Sequence, residues 1–248
     1  MPARSFAFFD LDHTLLPFDT QALFCNFVLK REPWRVFLHA LFLPVALARA
    51  CGLASTATAK RAFLSYLRGM PRDRLAAYAH EFAEVCVPKW AYPSLRAEVL
   101  RHKHQHRVLV LNTASPDFYA HEIAHALGFD HCIATRFEIG QNKFPGMPRL
   151  PVGNNKHEAK IVAMEQVVPG LTDLTEKERA NCWSYSDSAA DLPLLEYAGY
   201  GVLVHPSRSL AAIGQQRGWS ILHPKRPYST KLGDMLRVVL QMFGLHPE

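Results

Sequence analysis

Asp10 and Asp12 stand two residues apart, directly behind a short apolar run, Phe6-Ala-Phe-Phe9. Within a strand, side chains at that spacing leave opposite faces. Both can serve one site only if the chain turns at once, with Asp12 and Thr14 in the turn. A second apolar run, Val108-Leu-Val-Leu111, ends in Asn112-Thr113-Ala114-Ser115. A strand candidate beginning at Cys182 ends in Ser186-Asp187, with Asp191 one helical turn further on. Each group has a plain structural alternative. Asp-x-Asp after a strand is a common turn or a general cation site, Thr113 and Ser115 can cap a helix starting near Asp117, and Asp187 and Asp191 can form one solvated helix face. Their joint arrival at three strand ends is what a stability-only explanation does not require. Neighbouring carboxylates repel unless a cation or a proton neutralises them. An oxygen-rich cluster with no His or Cys partner suits Mg²⁺ rather than zinc. Beside such an ion Asp10 could attack phosphorus in line, while Asp12 protonates the leaving oxygen and later deprotonates water. The metal and a lysine would absorb charge on the phosphoryl group.

For three strand ends to meet, the strands must share a sheet edge. The run ending at Asp10 reads as a buried parallel strand. Between Thr20 and Val87 the pattern is helical throughout: Ala22 to Leu29 behind a cap at Asp19, the Val36 to Ala48 run with a kink at Pro44, Lys60 to Arg68, and Arg72 to Val87. From about residue 90 helix and strand alternate. Helices are expected over Leu95 to His104, Asp117 to Leu127, Glu158 to Val167, Ala189 to Tyr197 and Ser207 to Gln216. Strands are expected over Val108 to Leu111, Cys182 to Tyr185, Gly201 to Val204 and Trp219 to Leu222. The fold class is therefore α/β, a Rossmann-like parallel sheet with helices on both faces plus an inserted all-helical cap. Ligands of such sheets sit at the carboxyl ends of the strands. The expected division is a core of residues 1–17 and 89–224, a cap of residues 18–88 and a C-terminal amphipathic tail of residues 225–248. In that tail Leu232, Met235, Leu236, Val239, Met242 and Phe243 fall on one helical stripe.

The 248 residues are 49% hydrophobic and 20% charged, which excludes a disordered chain and allows a sizeable core. A net charge of +6 admits an anionic substrate or peripheral contact with an anionic membrane. The basic residues are dispersed and not interleaved with aromatics, so no nucleic-acid partner is expected. Five scattered cysteines read as reduced thiols of a cytoplasmic protein, and the run at Phe6 is too short for a signal peptide. The Val36 to Ala48 run falls short of the roughly 18 to 20 residues of a spanning helix. It reads either as a buried or groove-lining helix or as an interfacial contact preceded by Arg31, Trp34 and Arg35. His102, His104 and His106 read as a solvated helix end rather than a metal tract. Monomer and dimer both remain open.

The three motifs, in this order over residues 8 to 195, resemble those of the haloacid dehalogenase superfamily of phosphatases. The first, Asp-x-Asp-x-Thr after an apolar strand, is met by Phe8-Phe-Asp-Leu-Asp-His-Thr14; the second by Val108-Leu-Val-Leu-Asn-Thr113; the fourth by Tyr185-Ser-Asp-Ser-Ala-Ala-Asp191. The resemblance implies Asp10 as nucleophile, Asp12 as acid and base, and Thr113 as a contact to the phosphoryl oxygens. It implies Mg²⁺ on Asp10, on the Asp12 backbone carbonyl and on Asp187, with Asp191 in support. The motif lysine is Lys160 or Lys156; Lys160 is preferred because Glu158-Ala-Lys160-Ile161 is similar to the Glu-x-Lys-Val of the subgroup whose cap follows the first strand. Thr14, Asp19, Asn112, Ala114 and Ser115 are the expected substrate contacts. His13 and His157 depart from the pattern, each standing where glycine is usual. The subgroup includes phosphatases of phosphoserine, histidinol phosphate and phosphatidylglycerophosphate. The greasy cap run favours a lipid-linked phosphate such as the last; a small metabolite, phosphoserine or histidinol phosphate, and a phosphate-binding regulator without turnover are the alternatives. Arg31, Arg35 and Lys60 could receive an anionic portion of the substrate.

Overall fold

The run Phe6–Phe9 forms β1, buried on both faces as a strand without polar alternation must be. A computed structural model describes residues 5–228 and 230–247, apart from the side chain of Lys231. After β1 come α1 (Thr20–Arg31), a 3-10 segment (Pro33–Leu41), α2 (Leu43–Ala50), α3 (Thr56–Phe63), a 3-10 turn (Leu64–Leu67) and α4 (Arg72–Trp90). Then follow α5 (Pro93–His104), β2 (Val108–Pro116), α6 (Asp117–Leu127), β3 (His131–Thr135), α7 (Glu158–Val167), α8 (Glu176–Arg179) and β4 (Trp183–Ser186). The chain continues through a 3-10 turn (Ala189–Asp191), α9 (Leu192–Tyr197), β5 (Tyr200–Val204), α10 (Arg208–Gln216), β6 (Ser220–Leu222) and α11 (Lys231–Met242).

The strands make one sheet in the order β3-β2-β1-β4-β5-β6, every pair parallel. This is the expected Rossmann-like sheet flanked by helices, and the helices between β1 and β2 are the inserted cap. The order reverses at β1, which pairs with β2 on one side and β4 on the other, so the crevice at its carboxyl end is where a ligand belongs. Alternation along β1 splits the core. Phe6 and Phe8 pack with Met164, Val168 and Leu194, while Ala7 and Phe9 join the larger cluster shared with the cap. Phe9 also stacks on Tyr185 of β4 at 4.1 Å between centroids. Truncating a buried ring of this kind costs about 3–5 kcal/mol.

Three local expectations are corrected. The Val36 to Ala48 run is not one helix kinked at Pro44. A 3-10 segment ends at Leu41, and Pro44 lies in the first turn of a new helix, where its missing N–H costs nothing. No residue of α2 is buried, and Phe37 and Leu47 are 78% and 69% exposed. His102 is not at a solvated helix end. It is fully buried, its Nδ1 accepting from Arg107 and its Nε2 2.8 Å from the Tyr185 hydroxyl. Finally, β3 has no counterpart in the sequence reading, because His131-Cys-Ile-Ala-Thr135 is a half-buried edge strand without an apolar run. Among the described residues no helix is long and apolar enough to cross a membrane.

Candidate active site

Immediately after β1 the backbone N–H groups of Thr14, Leu15 and Leu16 all donate to the Leu11 carbonyl, which folds the chain back on itself. His13 takes φ = 57° in that turn, a conformation uncommon outside glycine. The turn brings Asp12 round to the same side as Asp10. Both line a cavity of about 180 Å³ together with Asp187, Asp191 and Lys160. Lys160, 1% exposed, sits in the first turn of α7 and donates 2.7 Å hydrogen bonds to Asp10 Oδ1 and Asp191 Oδ2. The start of α7 is fixed to β2: Asn112 Nδ2 donates to the Lys160 carbonyl, and Asn155 Nδ2 donates to Asn112 Oδ1 and to the Thr113 carbonyl.

Asp12 is held at both oxygens, by the Thr20 N–H at the start of the cap (2.8 Å) and by the Ser115 hydroxyl (2.5 Å). Ser115 therefore serves the cavity rather than capping α6, whose N-cap, Pro116, makes no side-chain bond. Thr14 Oγ1 accepts from the Asp187 N–H and donates to Asp187 Oδ1. Asp19 both caps α1, accepting from Gln21 and Ala22, and lines the cavity. Ala114 is also in the lining. Thr113 and Asn112 are not among the lining residues; both are fully buried, and Thr113 Oγ1 accepts from the Ser115 N–H.

Burial pushes the Asp10 carboxyl well above the ordinary range; the Lys160 ammonium opposes this, and Asp191, Asp187 and Asp12 add to the rise. Burial raises Asp187 to about 6, partly offset by His13 and reinforced by Asp191. For Lys160 burial works against the ammonium, but Asp10 and Asp191 outweigh it and hold its pKa above the usual lysine value. Five aspartates thus line the cavity against two lysines, Lys156 and Lys160, an imbalance that a bound cation would relieve.

The sequence matches the haloacid dehalogenase-like hydrolase family over residues 7–196. The chain belongs to that family. A Mycobacterium tuberculosis protein bearing the name "probable phosphatase" is 27% identical over 251 residues, covering 92% of this chain and 78% of the relative. A Bordetella pertussis Tohama I structure of unknown function is 27% identical, covers 89% of this chain and 99% of its own, and superposes with a TM-score of 0.70. A phosphoserine phosphatase holding a phospho-aspartyl intermediate analogue shares the fold at 17% identity, with a TM-score of 0.57 over 90% of this chain and 94% of its own. As a haloacid dehalogenase-like hydrolase with this cap, the chain is an enzyme of the phosphatase kind.

Membership of the family implies a divalent-metal-dependent mechanism. Among the described residues no three His, Cys, Asp or Glu side chains converge as a ready-made metal cluster. The donor chemistry nevertheless fits. Asp187 is half-buried without an ion pair among the described residues, and it shares the cavity with the oxygens of Asp10, Asp12 and Asp191. Two other polar residues of the site, Asn154 and Thr135, carry no sequence signal. Lys60 reaches from α3 to the Ala114 carbonyl and to Asn154 Oδ1, and Thr135 Oγ1 donates to the same two oxygens. Of the three basic residues considered for the substrate, only Lys60 lines a cavity beside the carboxylates; Arg31 pairs with Glu81 and Arg35 with Glu32.

Proposed function

We propose that the chain is a Mg²⁺-dependent phosphomonoesterase working through a phospho-aspartate on Asp10, with a lipid-linked phosphate as its substrate class. The observation that carries this reading is Lys160 bridging Asp10 and Asp191 at the end of β1, with Asp12 held beside them. Asp10 attacks phosphorus, and the P–O bond to the leaving alcohol breaks as Asp12 supplies its proton. Asp12 then takes a proton from water, which attacks the same phosphorus and releases phosphate and free Asp10. Lys160 neutralises the growing charge on the phosphoryl oxygens and holds the nucleophile in line. The Thr20 N–H and the Ser115 hydroxyl fix the orientation of Asp12, so seating of the cap and placement of the acid are one event. Mg²⁺ on Asp10, the Asp12 carbonyl and Asp187, with Asp191 behind, would polarise the phosphoryl group.

The lipid reading is favoured by the exposed apolar faces of the 3-10 segment, α2 and α11, and by the net charge of +6. A small metabolite such as phosphoserine or histidinol phosphate is the second reading, supported by Asp19, whose carboxylate faces the cavity where a substrate amine could meet it. The test is a panel of soluble and detergent-dispersed phosphomonoesters with metal-stripped protein. Activity is expected only with divalent ion and to be restored by Mg²⁺. Asp10→Asn should lose several orders of magnitude, while Asp12→Asn still transfers phosphate slowly from p-nitrophenyl phosphate, whose leaving group needs little protonation. Undiminished turnover in a folded Asp10→Asn protein, or full activity without metal, would sink the proposal.

A further inference from the structure

Next to the carboxylate cavity lies a larger one of about 350 Å³, in the size range of small-molecule sites. Asp12, Asp19, Ala114 and Lys156 line both, so the two are continuous through the acid that faces the leaving group. The far end of the larger cavity is apolar, and its wall has two origins. Phe42 and Phe63 come from the cap, whereas Val238 and Met242 come from α11, beyond the residues that match the family. The helix is fastened there. His39 Nε2 donates to the Met242 carbonyl at 2.8 Å, and the Asn26 side chain exchanges two hydrogen bonds with the His246 backbone, at 3.0 and 3.2 Å. A tail that merely covered core would need no such fixed register.

We infer that Val238 and Met242 are specificity-determining residues: with Phe42 and Phe63 they form a subsite for a leaving group that is apolar within a few atoms of the bridging oxygen. This rests on the phosphomonoesterase reading and adds the part of the chain that selects the alcohol. Gln21, Lys60 and Asn154 lie on the polar side of the same cavity, so a substrate would place polar atoms near the phosphate and hydrocarbon against α11. Residues at the catalytic end handle phosphate alone and are indifferent to what lies beyond Phe63.

The test uses the full chain with Mg²⁺ and a series of n-alkyl phosphates from ethyl to octyl, reading phosphate release. The wild type is expected to gain at least tenfold in kcat/KM along the series. Val238→Phe, which fills the cavity, and Met242→Ala, which removes its wall, should flatten that gain at least tenfold while ethyl phosphate stays within about threefold. Met242→Leu should retain the gain. Calorimetric binding of n-octylphosphonate, which cannot be hydrolysed, gives a readout that does not depend on turnover. Binding weakened in both variants with no turnover of any ester would keep the subsite and discard the phosphatase reading. An unchanged chain-length gain, or equal losses for ethyl and octyl phosphate in variants with wild-type circular dichroism and Tm, would overturn the inference.

Discussion

Lys160 holds two buried carboxylates through one ammonium, and Lys156, four residues earlier, lines the same cavity without an ion pair among the described residues. The two can be separated experimentally. Lys160→Met leaves Asp10 and Asp191 buried without their cation, which costs about 3–5 kcal/mol when one partner of a buried pair is removed. Tm should fall, and added Mg²⁺ should recover part of it by supplying positive charge. kcat should stay depressed by two orders of magnitude or more, because the phosphoryl oxygens still lack their ammonium. Lys156→Met should change kcat by less than tenfold, and equal losses would transfer the role. Residues such as Asp10, Asp12 and Asp187 were legible because each stands just past a strand readable in the sequence, and the order of strands sets the place. Asn154 was not, and Lys60 was legible only as a basic residue for an anionic substrate, since the contact between the two joins residues 94 positions apart and exists only once the cap is seated. Thr113 was expected at a strand end, but β2 runs on to Pro116 and leaves it fully buried inside the strand.

Helix α1 was readable because its cap residue, Asp19, and the buried apolar run behind it agree. The 3-10 segment and β3 were not, because neither has a period of its own and each is fixed by what it packs against. The contact between α5 and β4 shows the same limit. His102 sits one residue from basic Arg101 and Lys103, yet it is wedged under Trp183 and Tyr185, and Tyr185 in turn donates to Glu98. Burial, with Arg101 and Arg107 beside it, lowers the His102 pKa to about 3. An unfolded histidine titrates near 6.5. Between those values the unfolded chain binds a proton that the folded chain refuses, so stability falls as pH falls through that window. His102→Gln should lower Tm at pH 7.5 by removing the buried bonds. The wild-type advantage should shrink steadily from pH 6.5 to pH 4; an advantage that is constant with pH would show that the imidazole is not held neutral.

On the molecule as a whole, the outer faces of the cap and α11 carry Phe37, Leu43, Leu47 and Leu53 on one side and Leu232, Met235, Leu236 and Val239 on the other, all exposed. His39 lies between them, its ring centroid 6.4 Å from both Phe42 and Phe243. The purified protein is expected to co-sediment with vesicles containing anionic lipid and to be eluted only in part by salt, which screens charge but leaves apolar insertion. Changing Phe37, Leu43 and Leu47 to serine should abolish sedimentation and leave hydrolysis of a soluble ester intact, since none of the three lines either of the two cavities described above. Failure of the wild type to bind such vesicles at low salt would shift the substrate to a soluble metabolite. The clasp between Asn26 and His246 spans 220 positions. Helix α1 is made long before its partner, with the whole sheet between them. The Val238 and Met242 wall of the larger cavity is therefore the last to be laid down, after every strand of the sheet has been synthesised.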